Sequence, residues 1–347
     1  MSSDLTKPVD LRHCLITAAS CCLAATFVFC FHCDNPWWAV ISAWVISGTD
    51  LHQSSLKALM RVAGTLGGYF VGLISASITE GDPVWQAMAL FLIGAISMPM
   101  RYRSRFPYAW IIGSATAFIL LAVDLTDPGS IYDTGQYRLY EIISGVVAAW
   151  LCARLLRPLL GLSADPKETK TLSAKSLTDL APSEIRNLVM IGGLAPVIIA
   201  LIWSWLNLPS LVQAIVTSVV TLDRNVANAQ IRVTQRILGC LIGGSIGLVA
   251  AEFATSSFFE WYLVLFGGIF VFSRLHLSSG AFSYVGTQAG VAFILAVVTG
   301  NNPPDTIGPV IGRIAGMTGG VLVVGGLCFV LKSWLERSSA TRLTDSQ

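Results

Sequence analysis

The chain is short of charge. Its 347 residues hold 22 Lys+Arg and 20 Asp+Glu, so 12% are charged, against about a quarter in soluble globular domains. That shortage excludes a solvated surface over most of the molecule. Nor is any Lys/Arg block dense enough for nucleic acid, and the net charge is only +2. No Walker A sequence and no hydrolase, kinase or redox motif occurs, which argues against an enzyme and against ATP hydrolysis by this chain. No motif asks for a cofactor. Cys30, His32 and Cys33 form a C-x-H-C cluster without the second ligand pair that a metal site needs. The other cysteines sit in apolar stretches and read as small hydrophobes. The first apolar run lacks a small-residue cleavage pattern and reads as a retained helix.

What is present is apolar sequence, 54% of the chain. Runs fall at 11–31, 36–47, 56–78, 84–98, 107–123 and 137–156, then at 185–206, 209–222, 231–251, 259–272, 282–299 and 307–331. A bilayer core takes about 20 helical residues. The pattern predicts an all-α polytopic membrane protein of about twelve transmembrane helices. Lys and Arg concentrate on alternate connections, including 48–57 and 99–106, and Asp and Glu on the others. By the positive-inside rule both termini are expected in the cytoplasm.

The two halves match each other. A shift of 175 residues takes Arg61, Gly64, Gly68 and Gly72 to Arg236, Gly239, Gly243 and Gly247. The same shift takes Ala39-Val-Ile-Ser to Ala214-Ile-Val-Thr, Ala117-Phe-Ile-Leu to Ala292-Phe-Ile-Leu, and Arg138 and Gly145 to Arg313 and Gly320. This predicts two parallel six-helix repeats, at 1–160 and 185–347, joined by a cytoplasmic linker at 161–184. The glycines, spaced by four, lie on one helix face and are expected in tight packing, near the axis that relates the halves.

The candidate substrate-binding residues are Arg61, Arg236, Arg138 and Arg313. An arginine inside a membrane helix costs at least ~2.5 kcal/mol unless it snorkels, pairs or faces water. Glu141, one turn after Arg138, is placed to neutralise it, whereas Arg313 has Gly316 at that position. The short runs at 36–47 and 209–222 begin at prolines and correspond between halves, a pointer to a transport site. Asp50, Asp223 and Glu141 are the candidate proton-coupling groups; His52 is a further titratable side chain beside Asp50. Trp37, Trp38, Trp85, Trp203, Trp205, Trp261 and Trp334 read as an interfacial aromatic belt. Trp44 and Trp110 lie deeper and read as packing residues.

Pro36-Trp-Trp-Ala39, Arg61-Val-Ala-Gly-Thr65-Leu-Gly-Gly68 and its copy at Arg236, with Arg138…Gly145 and Arg313…Gly320, resemble the fusaric acid resistance (FUSC) family over nearly the whole chain. The resemblance implies an inner-membrane exporter of aromatic carboxylic acids, with the four arginines attracting the carboxylate and a periplasmic adaptor protein often alongside. Larger members carry a sizeable cytoplasmic domain after each half, which the short 161–184 linker does not match. The first expectation is a proton-driven exporter of small organic anions in the bacterial inner membrane, either alone or as a homo-oligomer. A passive anion-selective channel and a non-transporting subunit of an efflux assembly are the alternatives.

Overall fold

The structure is a computed structural model and describes residues 9–33, 35–162, 180–221, 226–253, 257–298 and 308–344. Among these residues every regular element is helical. The helices are α1 (Leu11–Cys30), α2 (Trp37–Ile46), α3 (Leu51–Thr79), α4 (Pro83–Arg103), α5 (Pro107–Thr126), α6 (Ile131–Leu159), α7 (Pro182–Leu206), α8 (Leu211–Thr221), α9 (Val226–Phe253), α10 (Phe258–His276), α11 (Ser283–Val297) and α12 (Gly308–Thr344). Eight of them, α1, α3 to α7, α9 and α10, are long and apolar enough to cross a membrane. The protein is a multi-pass membrane protein. With 10 and 11 residues, α2 and α8 reach only about halfway across a ~30 Å hydrocarbon core at 1.5 Å per residue.

Several helices outrun the apolar runs that announce them, because polar residues cap or continue them. Asp50 accepts from the backbone N–H groups of His52 and Gln53 at 2.8 and 3.3 Å, satisfying donors that the first turn leaves free. Helix α3 therefore starts at Leu51, and His52 and Lys57 lie on it rather than in a connection at 48–57. Asp82 caps α4 in the same way. That helix continues through Pro99 to Arg103, so Arg101 and Arg103 occupy its last turn instead of a loop at 99–106; cations there complement the helix dipole. Helix α7 begins at Pro182, inside the stretch expected to be linker.

The glycine ladders form tight seams, but each within its own half. Gly64, Gly68 and Gly72 of α3 face Ala109, Gly113 and Ala117 of α5. Gly239, Gly243 and Gly247 of α9 face α11 at Val285, Ala289 and Phe293. The expectation of tight packing holds, and the partners are α5 and α11: close backbone approach is what the missing side chains provide. Gly145 on α6 meets Ala39 of α2, and Gly320 on α12 meets Ala214 of α8. Helix pairs α1–α10, α4–α7, α2–α11 and α5–α8 join residues 1–160 to 185–347. Phe70, Ile74 and Ile78, spaced by four on α3, are exposed, as a lipid-facing stripe is.

The tryptophans divide differently from the expected belt. Trp85 and Trp205 are exposed, whereas Trp37, Trp203 and Trp261 are buried. Trp203 Nε1 donates to the Pro209 carbonyl at 2.9 Å and Trp261 Nε1 to the Val297 carbonyl at 2.8 Å. A buried indole finds an acceptor this way. Trp334 lies outside the residues whose side chains are described.

Candidate functional site

Four of the described arginines are buried, and three of them are expected from the repeat: Arg61, Arg138 and Arg236, at 4%, 3% and 5% exposure. Arg61 sits on α3 one turn before Gly64. The close α3–α5 seam and the neighbouring α2 bring hydroxyls to it. Its Nε donates to Ser42 Oγ at 2.9 Å and its Nη1 to the Tyr108 hydroxyl at 2.5 Å. Arg138, on α6, donates from Nε to Thr116 Oγ1 of α5 at 3.2 Å. Its guanidinium lies over the Trp38 ring of α2, 4.2 Å from the ring centre, a cation–π contact that strengthens when desolvated. Arg138 Nη1 has no partner among the described residues.

Arg236 repeats the first of these contacts. Its Nη2 donates to Thr217 Oγ1 of α8 at 3.2 Å, and Thr217 stands 175 residues after Ser42. Its Nε is unpartnered among the described residues. The backbone of Arg313 lies in α12, and its side chain is outside the described residues.

Glu141 is 1% exposed. Its Oε1 accepts from the Asn35 backbone N–H at 2.8 Å, ahead of α2. Arg138 lies within electrostatic reach of both Glu141 and Arg61. Among the described residues the ion pair closer than 4.0 Å is Arg12–Asp10, at 3.8 Å on an exposed end. Arg61 and Arg236 are thus held by hydroxyls, and Arg138 by a hydroxyl and an aromatic face with Glu141 within electrostatic reach. Such an arrangement attracts anions.

Asp50 serves as the N-cap of α3, and Asp223 lies outside the described residues. Several polar residues of the interior are not evident from sequence patterns. Asp124, expected in a connection, lies in the last turn of α5, is buried, and accepts from Gln86 Nε2 of α4 at 2.5 Å. His276 at the end of α10 stacks on Trp44, ring centres 4.4 Å apart. Its Nδ1 hydrogen-bonds the Thr287 hydroxyl at 2.7 Å. Arg157, near the end of α6, is also buried and donates from Nη2 to the Thr49 carbonyl at 2.8 Å. The signal that points to Ser42 and Thr217 is the repeat itself, since both close the matched Ala39 and Ala214 tetrads. Among the described residues, no three His, Cys, Asp or Glu side chains gather as a metal site would require.

The family profile described as fusaric acid resistance protein-like matches residues 23–152 and 197–335. The chain belongs to the fusaric acid resistance protein-like family. Among curated proteins, this family member is similar to the uncharacterised transporter YdhK of Escherichia coli K12, 28% identical over 158 residues, 44% of this chain and 23% of that protein. YdhK of Salmonella typhimurium LT2 is 29% identical over 159 residues, with the same coverage of each chain. The match therefore spans less than a quarter of the length of these relatives. No solved structure matches this chain.

Proposed function

We propose that this fusaric acid resistance-like protein is a secondary transporter. It exports small organic anions, aromatic carboxylates foremost, across the bacterial inner membrane and is driven by the proton gradient. The observation that carries the reading is the set of buried arginines, Arg61, Arg138 and Arg236, held on Ser42, Tyr108, Thr116, Thr217 and Trp38 rather than in close carboxylate ion pairs among the described residues. Family membership and the name of the YdhK relatives support transport. The profile's two matching segments and the repeated helix pairings support two parallel six-helix repeats. In this reading both termini are cytoplasmic, Arg313 joins the other arginines, and Glu141 beside Arg138 is the proton-coupling group. A periplasmic adaptor and self-association complete the assembly.

The test is uptake of labelled benzoate into proteoliposomes with and without an imposed pH gradient. Accumulation above equilibrium, abolished by a protonophore and by the Arg61→Ala/Arg236→Ala pair at equal insertion, is expected. Full transport by the double variant removes the arginines from the pathway. One observation favours a passive anion channel instead: Asp50 is committed to capping α3, which leaves few free carboxylates for coupling. Downhill, voltage-sensitive flux without accumulation decides for the channel.

A further inference from the structure

A second cationic site lies away from the arginine seams, between α1, the first turns of α3 and the last turns of α6. Arg157 is its centre. The side chain is 9% exposed. Its Nη2 holds the Thr49 carbonyl at 2.8 Å, and its Nε has no partner among the described residues. A guanidinium carries five N–H donors in a fixed fork, and leaving buried charged donors unpaired is unfavourable. Two adjoining cavities meet at this side chain. The inner one is about 40 Å³ and is lined by Arg157, His13, Thr17, Ser54 and Ser55. The outer one is about 940 Å³, with Trp150, Arg154 and His52 on its wall together with Arg157 and Ser55.

The two sizes and the charge balance narrow the ligand. At ~10–15 Å³ per water-sized group the inner cavity holds about three such groups, enough for a carboxylate and too small for a ring. The outer cavity lies in the range of roughly 300–1,000 Å³ typical of small-molecule sites. From α6 the site receives Arg157 and Arg154, from α1 His13, and from the start of α3 His52 and Asp50. Asp50 is the facing carboxylate, and its Oδ1 already accepts from the His52 and Gln53 amides. A guanidinium fork matches a carboxylate, and an indole face accepts an aromatic ring.

We infer that the protein binds an aromatic carboxylate in this cleft, the carboxylate on Arg157 in the inner cavity and the ring against Trp150 in the outer one. The inference rests on the proposed organic-anion cargo and adds its docking site. The site occurs once per chain. At the 175-residue shift His13, Ser55, Trp150, Arg154 and Arg157 become Leu188, Gln230, Gly325, Phe329 and Lys332, so the second half does not repeat its chemistry.

Calorimetric titration of the purified full chain in detergent with benzoate, benzamide and acetate tests it. Saturable binding of benzoate, none of the uncharged benzamide, and weaker binding of acetate are expected. Arg157→Gln weakens benzoate by more than about tenfold, as loss of one partner of a buried charged pair does. Because that variant also loses the Thr49 contact, Ser55→Trp provides a second arm: it fills the cleft, leaves the guanidinium in place, and weakens benzoate comparably. Absence of benzoate binding by the wild type, equal binding of benzamide, or unchanged binding by both Arg157→Gln and Ser55→Trp overturns the site. Binding without transport in wild-type proteoliposomes instead overturns the transport reading and leaves the site standing.

Discussion

Gly67 and Gly68 are neighbours on α3 with opposite surroundings, and exchanging each for alanine tests the α3–α5 seam. A methyl group at Gly68 runs into the Gly113 carbonyl oxygen and stands 2.8 Å from Thr116 Cβ and 2.9 Å from the Gly113 carbonyl carbon. Ordinary carbon contacts are ~3.5–4.0 Å, so α5 has to retreat by close to ~1 Å; the obstacle is mostly backbone and has no rotamer to change. Overpacking of this kind costs about 1–3 kcal/mol, and replacing a helical glycine by alanine offsets up to ~1 kcal/mol of it. A methyl group at Gly67 meets nothing within 4 Å and keeps the whole offset. Thermal unfolding of the two purified variants in one detergent is the assay. Gly67→Ala is expected to unfold at or slightly above the wild-type temperature and Gly68→Ala a few degrees below it. The retreat also draws Tyr108 away from Arg61, so Gly68→Ala loses anion transport at temperatures where it is still folded. Wild-type unfolding and transport by Gly68→Ala refute the seam.

Three further outcomes follow from contacts at the buried charges. Trp38→Leu removes the ring beneath Arg138 and lowers transport, whereas Trp38→Phe retains a ring face and most of the activity; flux at equal protein level measures both, the contact being worth about 0.5–2 kcal/mol. Glu141→Gln keeps an acceptor for the Asn35 amide but cannot ionise, so uphill accumulation under a pH gradient is lost and downhill exchange persists; retained accumulation removes Glu141 from coupling. Asp124→Asn weakens a hydrogen bond to a charged acceptor worth about 1.5–3 kcal/mol, and lowers the unfolding temperature without altering the response to a pH gradient.

The helices are legible in the sequence because each is a run of apolar residues, and the short α2 and α8 stand out by length. Their true ends are less legible, since Asp50 and Asp82 look like loop residues until a backbone amide is seen on each. Arg61 and Arg236 are recognisable as a pair, and Ser42 and Thr217 as matched positions. That the second pair holds the first requires the fold, which sets α2 beside α3 and α8 beside α9. Which helix a glycine ladder faces is not written in its spacing, because a small-residue face fits any close neighbour. The repeat register also hides a slip: Gly72 meets Ala117, whereas Gly247 meets Phe293, one residue beyond the position that the Ala-Phe-Ile-Leu match assigns. The sequence does not mark out Arg157, because an arginine near a helix end normally reaches for water; only its cavities set it apart.

The Trp44 indole, fully buried, donates from Nε1 to the Thr287 carbonyl at 3.2 Å and fills the notch that Gly290 leaves in α11, with His276 stacked on it. This plug crosses from one half of the chain to the other along the α2–α11 contact. The 175-residue shift assigns Val219 of α8 and Arg101 of α4 to the positions of Trp44 and His276, so this stacked pair of rings is not repeated on the other edge. The two edges are therefore keyed differently: a ring seated in a glycine notch where α2 meets α11, and backbone close against backbone at Gly94 and Gly192 where α4 meets α7.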